Sequence, residues 1–316
     1  MGRLASATLI VSNFAEDSIS LIDVAQQKEV QRIYLQEGKG LFPPRPLGPH
    51  HIALDWNQKY LYVPNSHQNS VTILDLLLGK MIDTVYVGGC PTQIVLCKKY
   101  GCLYVANSDS NSIFVLNVNT LESMIQIPTG EMPHGMVLTK DQERVLVANK
   151  GTKSITEIQT RTNEQSEVYE VECHPWHLRL SYDGRFIFVV DHSFDFEKQG
   201  KICVYQLSDM KLMQVIHIGK MPVEVICDKK NNYLYVADSD LDCIHVFNLK
   251  KNQYCQKINV SHMPHGLEID QDEMYLFATS ISDNVVDIID IRLRKCIGSI
   301  PTGIEPTSVL FTQLIN

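Results

Sequence analysis

One recurrence limits what this chain can fold into. Prolines stand at 49, 91, 133, 175, 222, 264 and 306, so successive ones lie 42 residues apart, except for one step of 47 after Pro175. Each opens a related stretch: Pro49-His50-His51, Pro91-Thr92-Gln93, Pro133-His134-Gly135, Pro175-Trp176-His177, Pro222-Val223-Glu224, Pro264-His265-Gly266 and Pro306-Thr307-Ser308. A fixed period of this size marks a repeat architecture, in which one supersecondary unit is copied.

Within a period the unit reads as four short strands. From Pro91 they are Thr92–Cys97, Cys102–Asn107, Ser112–Leu116 and Ser123–Ile127, called a to d below. Val, Ile, Leu, Tyr and Phe fill the strands, and Asn, Asp, Ser and Gly fill the turns. Four strands every ~40–45 residues is the signature of a propeller blade. Six blades start near residues 49, 91, 133, 175, 222 and 264. The first residues supply strands b, c and d but no a, while Pro306–Phe311 supplies an a and nothing after it. A composite blade of residues 306–316 and 1–48 makes the seventh and joins the two ends of the chain. The predicted fold is all-β, a seven-bladed β-propeller, as a single domain over residues 1–316. Closure removes the open sheet edge.

Composition narrows the function. The net charge is −8 and there is no run of Lys or Arg, which argues against nucleic acid and anionic membranes as partners. No apolar run approaches the roughly 18 residues of a membrane span. The start has no signal-peptide anatomy, so a cytoplasmic location is expected. Met1-Gly2 with Ser6 fits a myristoylation pattern, but the segment is needed for the first strand. The nine cysteines are odd in number and contain no Cys-x-x-Cys, which suits reduced core thiols. Cys90 and Cys173 stand just before repeated prolines and are the two to follow.

Leu103-Tyr104-Val105-Ala106-Asn107-Ser108 and Leu234-Tyr235-Val236-Ala237-Asp238-Ser239 resemble the YVTN-type β-propeller repeat, and Asp183–Val190 matches the turn and strand b of that repeat. Pro175-Trp176-His177-Leu178-Arg179-Leu180 also resembles the lactonase-type seven-bladed propellers. The resemblance covers essentially the whole chain and implies the fold. It leaves function open, because the family includes copper enzymes, lactonases, dehydrogenase subunits and proteins of unknown role.

The histidines point to where chemistry would lie. Strands that run outward from the axis put the d-to-a connection and the b-to-c turn on one face. His50, His51, His134, His177 and His265 begin innermost strands, His174 and His262 precede them, and His67 and His192 sit in b-to-c turns. Nine of eleven thus fall on one face, with His217 and His245 expected elsewhere. The extra length of two blades, Lys39–Pro46 and His192–Lys201, falls there too and reads as a rim. Converging imidazoles suit a transition metal, copper, zinc or iron.

His50, His134 and His265 are therefore candidate metal ligands. His51 and His177 are candidate acid/base groups and Glu224 a candidate carboxylate. Trp176, replacing a histidine at the mouth, is a candidate stacking platform for a bound cofactor or ligand. Strand alternation turns His51 and His177 away from the His50 side, so the five cannot share one metal without a bulge. The same residues also admit a structural reading, as turn hydrogen-bonders and polar lining copied with the blade.

The leading expectation is a metal-binding site for a small molecule at one mouth of the channel, with redox or hydrolytic chemistry. Two others stand beside it. One is a non-catalytic platform for a protein partner, using the proline-rich stretch 41–46. The other is a lactonase-like hydrolase.

Overall fold

A computed structural model of the chain describes residues 7–36, 45–191 and 199–313. The described residues form seven four-stranded antiparallel sheets, each with its strands in the order a-b-c-d, the blades of a seven-bladed β-propeller. The chain divides into two compact units, residues 1–91 with 259–316, and residues 92–258. The first holds the composite blade and blades 1 and 6; the second holds blades 2 to 5.

The composite blade forms as expected. Pro306–Thr312 pairs with Thr8–Asn13, with Phe311 opposite Leu9 and Val309 opposite Val11, and Ser18–Asp23 and Lys28–Tyr34 complete the sheet. The strands in blade 2 run slightly longer than the sequence suggests: Pro91–Cys97, Cys102–Asn107, Ser112–Asn117 and Ser123–Pro128. Much of the insertion at Lys39–Pro46, most of that at His192–Lys201, and the Met1–Ser6 stretch lie outside the described residues.

Burial falls from the inner strands outward. Strand b is apolar on both faces because neighbouring blades cover both. Leu103, Tyr104, Val105 and Ala106 are all within 1% of full burial, as are Leu234, Tyr235, Val236 and Ala237. Strand d is mostly exposed, as in Lys80–Tyr86 and Glu164–Glu170. In the second unit one core packs Leu146, Ala148 and Ile155 of blade 3 on Leu178, Ile187 and Val189 of blade 4. In the first, Leu9, Val11 and Ile22 pack on Phe277, Val286 and Ile288. Burial of this kind contributes about 1.5–3 kcal/mol per large side chain.

Two polar devices recur on the face where strand a begins. At the end of strand b, the Nδ2 of Asn13 donates to the hydroxyls of Ser18 and Ser20 at 2.9 and 2.8 Å. Asn65 does the same to Ser70 and Thr72, and Asn149 to Ser154 and Thr156. In blades 4, 5 and 6 the set changes together. Asp191 meets Lys201, Asp238 meets His245, and Ser280 donates to Asp287.

The second device lies in the b-to-c turn. Asn69, Asn111 and Asn284 have positive φ, and each accepts the backbone N–H of the residue before the repeated proline, Cys90, Met132 and Glu305. That bond ties the b-to-c turn to the d-to-a connection, so the two share a face as the sequence implied.

Strand a is not regular at its start. Its pairing with strand b shifts register between Pro133 and Met136, Pro175 and Leu178, Pro222 and Glu224, and Pro264 and Leu267. In blade 1 only Ala53–Leu54 is regular strand, with an isolated bridge from Pro49 to Asn65. Such bulges re-aim side chains.

Neighbouring inner strands also approach closely at the second position after the proline in blade 3. A Cβ on Gly135 would lie 2.6 Å from the Trp176 carbonyl oxygen and 2.7 Å from the His177 Cα, backbone atoms that cannot turn aside. Gly135→Ala is therefore expected to cost about 1–3 kcal/mol, read as a lower urea midpoint at unchanged m value.

Candidate functional site

In the second unit, the first residues of two adjacent inner strands make a buried charged group. His177 Nδ1 lies 3.4 Å from Glu224 Oε2, and Arg179 Nε lies 3.3 Å from Glu224 Oε1. The Val225 backbone N–H donates to the same Oε1 at 2.9 Å. The His177 and Glu224 side chains are 1% and 3% exposed, whereas Arg179 is 36% exposed and reaches water. Burial works against ionising Glu224, but the charge of Arg179, then His177 and the Val225 N–H, outweigh it and hold the carboxyl below its ordinary value. Glu224 is thus a carboxylate at neutral pH. Arg179 has no role evident from the sequence; its i, i+2 spacing from His177 on one strand face is the available signal.

His134 and Trp176 lie alongside. Their rings stack with centroids 3.7 Å apart at 24°, and the His134 ring is 5.3 Å from that of His177. The expected platform at Trp176 is thus already packed by a histidine.

The first unit carries a second cluster. The rings of His50 and His51 are 4.5 Å apart, those of His50 and His265 6.3 Å, and those of His51 and His265 5.7 Å. Simple alternation would put His50 and His51 on opposite sides. The irregular start of strand a in blade 1 brings them together instead. His265 Nδ1 donates to the Thr307 carbonyl at 2.9 Å, which fixes its tautomer and makes Nε2 the lone-pair nitrogen.

Of the expected metal set, His50 and His265 thus lie together in one unit and His134 lies in the other beside Trp176. Of the expected catalytic set, His177 and Glu224 are in contact and His51 belongs to the histidine cluster.

The remaining histidines sort by their neighbours. His67 packs edge-on against Phe14. His262 makes an exposed ion pair with Asp283. His192 lies outside the described residues. The two histidines expected away from this face touch it after all. His217 ends strand d and lines a cavity of about 430 Å³ with His174, Glu172 and Lys201. His245, early in strand c, is 3.2 Å from Asp238. Strands d end, and strands c begin, on the face where strands a begin. Cys90 serves through its backbone. A hydrogen bond to Cys203, together with burial, holds Cys173 protonated.

No helix of the described residues is long and apolar enough to cross a membrane.

Comparisons with known proteins agree with this architecture. The family model of the YNCE-like beta-propeller matches residues 97–307, and that of the lactonase 7-bladed beta-propeller matches residues 5–175. None of the curated proteins matches the sequence. Among solved structures, a candidate 6-phosphogluconolactonase from Bacteroides uniformis is 16% identical, with a TM-score of 0.77 over 96% of this chain and 99% of that one. A second, from Bacteroides fragilis, is 16% identical with a TM-score of 0.75 over 98% and 99%. Kuenenia stuttgartiensis hydrazine synthase is 18% identical with a TM-score of 0.76 over 86% and 92%. Identities this low speak to the fold alone. Each family model spans more than half of the 316 residues, and the chain belongs to the seven-bladed β-propellers of the YNCE-like and lactonase families.

Proposed function

We propose that His177 and Glu224 bind a divalent transition metal and that the protein uses it to hydrolyse a small-molecule ester, a lactone in the first instance. The observation that carries this reading is the buried contact of His177 with an ionised Glu224. A buried imidazole beside a buried carboxylate is costly for a fold and useful to a cation.

His177 and Glu224 hold one repeat position, the second after the proline, in blades 4 and 5. A propeller sets equivalent positions around its axis. Each offers one ligand atom, an imidazole nitrogen or a carboxylate oxygen. Histidine and glutamate are both ligand types of hydrolytic zinc sites, which keep a further position for water or substrate. A metal held there supplies Lewis acidity toward a carbonyl oxygen. Arg179 keeps Glu224 deprotonated, as a ligand must be. The match to the lactonase family favours hydrolysis over redox chemistry and makes a small molecule the preferred partner.

The test is metal content. Protein stripped with a chelator and reloaded with Zn²⁺ is expected to hold one ion per chain. His177→Ala and Glu224→Gln are each expected to weaken Zn²⁺ by more than the roughly 10–100-fold that outer-shell changes cost, while His67→Ala leaves it unchanged. Wild-type protein without stoichiometric metal, or variants that bind Zn²⁺ as it does, would sink the reading. A panel of γ- and δ-lactones assayed with the loaded protein then tests the reaction.

A further inference from the structure

At one place in the second unit, blade 4 departs from blade 3 in four side chains at once. In blade 3 Glu157, 4% exposed, accepts from Arg144 Nη1 at 2.9 Å, from the Ser166 hydroxyl at 2.8 Å and from the Tyr169 hydroxyl at 3.2 Å. That buried acid is satisfied by its own blade. In blade 4 the equivalent residues are Val204 for Glu157, Phe186 for Arg144, Met213 for Ser166 and Ile216 for Tyr169. Apolar surface has replaced the polar network.

Part of that surface lies open. Phe186, Phe188, Val204 and Met213 of blade 4 and Leu249 of blade 5 line a cavity of about 580 Å³, within the roughly 300–1,000 Å³ of ligand sites. Phe188 and Val204 belong to a core on which Phe186 and Leu249 pack, so the floor is held from beneath. Met213 is 50% exposed at its edge.

The rim is basic although the chain carries a net charge of −8. Arg185 on the a-to-b turn of blade 4, Lys230 on the a-to-b turn of blade 5 and Lys250 on its c-to-d turn line the same cavity, with Asp183 as the one lining carboxylate among the described residues. Arg185 pairs with Asp183 at 2.6 Å, which leaves the two lysine charges in excess. Positive charge around an apolar floor is complementary to an apolar group flanked by carboxylates. The cations come from three turns on two blades, which suits several carboxylates set along a chain better than a single one. A large apolar anchor in a pocket with charge at the rim is the usual anatomy of a protein interface. These turns stand at the far ends of the strands from His177 and Glu224, so the metal reading plays no part here.

We propose that the groove between blades 4 and 5 docks an acidic segment of a protein partner, whose large apolar side chain fills the cavity over Phe186 and Val204 while its Asp or Glu residues meet Lys230, Lys250 and Arg185.

Selection of phage-displayed random peptides on the immobilised intact chain is expected to enrich an aromatic or long aliphatic residue flanked by Asp or Glu. The synthetic consensus peptide, labelled with fluorescein, then reports affinity by polarisation. Lys230→Glu with Lys250→Glu is expected to weaken binding at least about tenfold. Raising salt from about 0.05 M to about 0.5 M should weaken it for wild type more than for that variant. Phe186→Arg with Val204→Glu, which puts the blade 3 pair into blade 4, should weaken it at least about thirtyfold. Melting curves check that the variants fold, and the lysine variant, altered only at exposed side chains, decides the matter if the core pair does not. Peptide affinity should be equal with and without Zn²⁺.

No enriched consensus, a consensus rich in Lys or Arg, or equal affinity of wild type and the lysine variant would each overturn the proposal. So would decanoate binding as tightly as the peptide, which would give the groove to a small amphiphile, or a wild-type dimer that the lysine variant dissolves, which would give it to a second copy.

Discussion

Glu224→Ala is expected to lower stability by about 3 kcal/mol, the lower end of what breaking a buried ion pair costs. The substitution leaves a 1%-exposed imidazole and the inner end of Arg179 facing a void. Arg179 is more than a third exposed and can turn to water, which keeps the loss at that end of the range. The Val225 N–H also loses its acceptor. Urea unfolding of the metal-free protein reads this out directly, and a loss below about 0.5 kcal/mol would mean that the contact is incidental.

The sign of its pH dependence follows from the carboxyl being held below its ordinary 4.5. A depressed folded pKa contributes stability that is fully present above the unfolded value and is lost as pH falls through the folded one. Metal-free wild type should therefore lose stability below about pH 4.5 faster than Glu224→Gln, and the gap between the two should narrow toward acid. Parallel curves from pH 7 to pH 3 would contradict this.

Truncation after Ile304 is expected to do more damage still. It removes Pro306–Thr312, which supplies the inner strand of the composite blade. Val309, 3% exposed, leaves a core shared with Leu9, Val11 and Phe277, and Phe311 leaves its stack on Phe277 at 6.2 Å. Thr8–Asn13, fully buried in the intact sheet, becomes an edge. At about 1.5–3 kcal/mol for each large side chain uncovered, the loss consumes most of the 5–15 kcal/mol typical of a domain. The truncated chain should aggregate, or elute as large species in size exclusion, and a peptide of residues 304–316 should partly restore a cooperative melt. A monomeric truncated chain with an unchanged Tm would show that closure matters little.

Much of this architecture is legible in the sequence. The proline period defined the seven sheets, and the unmatched strands at either end identified the composite blade. Strand b in blade 2 was read to the residue at Cys102–Asn107 because turn residues bound an apolar run on both sides. The site was legible only in part. That His177 and Glu224 share a repeat position was visible, but their 3.4 Å contact depends on how adjacent inner strands approach, which the period does not encode. The irregular start of strand a was equally hidden. Regular alternation separates His50 from His51, whereas in blade 1, where regular strand begins only at Ala53, their rings lie 4.5 Å apart. Trp176 was visible as a departure from the repeat, but nothing in one dimension says that Lys150, 26 positions earlier in the chain, lies against its ring.

The polar sets at the ends of strands b carry a consequence for how such a chain can change. Asn149 works with Ser154 and Thr156, and Asp238 with His245, while in blade 6 the acid has moved across the hairpin to Asp287, with Ser280 opposite it. A lone Asn149→Asp would force hydroxyls that now accept from an amide to turn and donate, as Ser261, Ser280 and Ser299 donate to Asp287, and a lone His245→Thr would leave Asp238 to its backbone N–H donors alone. Copied blades therefore drift apart at least cost by steps in which both strands of the hairpin are revised together. The interchangeable part is the whole hairpin: grafting residues 144–159 onto a sister blade should cost less stability than the same exchange made one residue at a time.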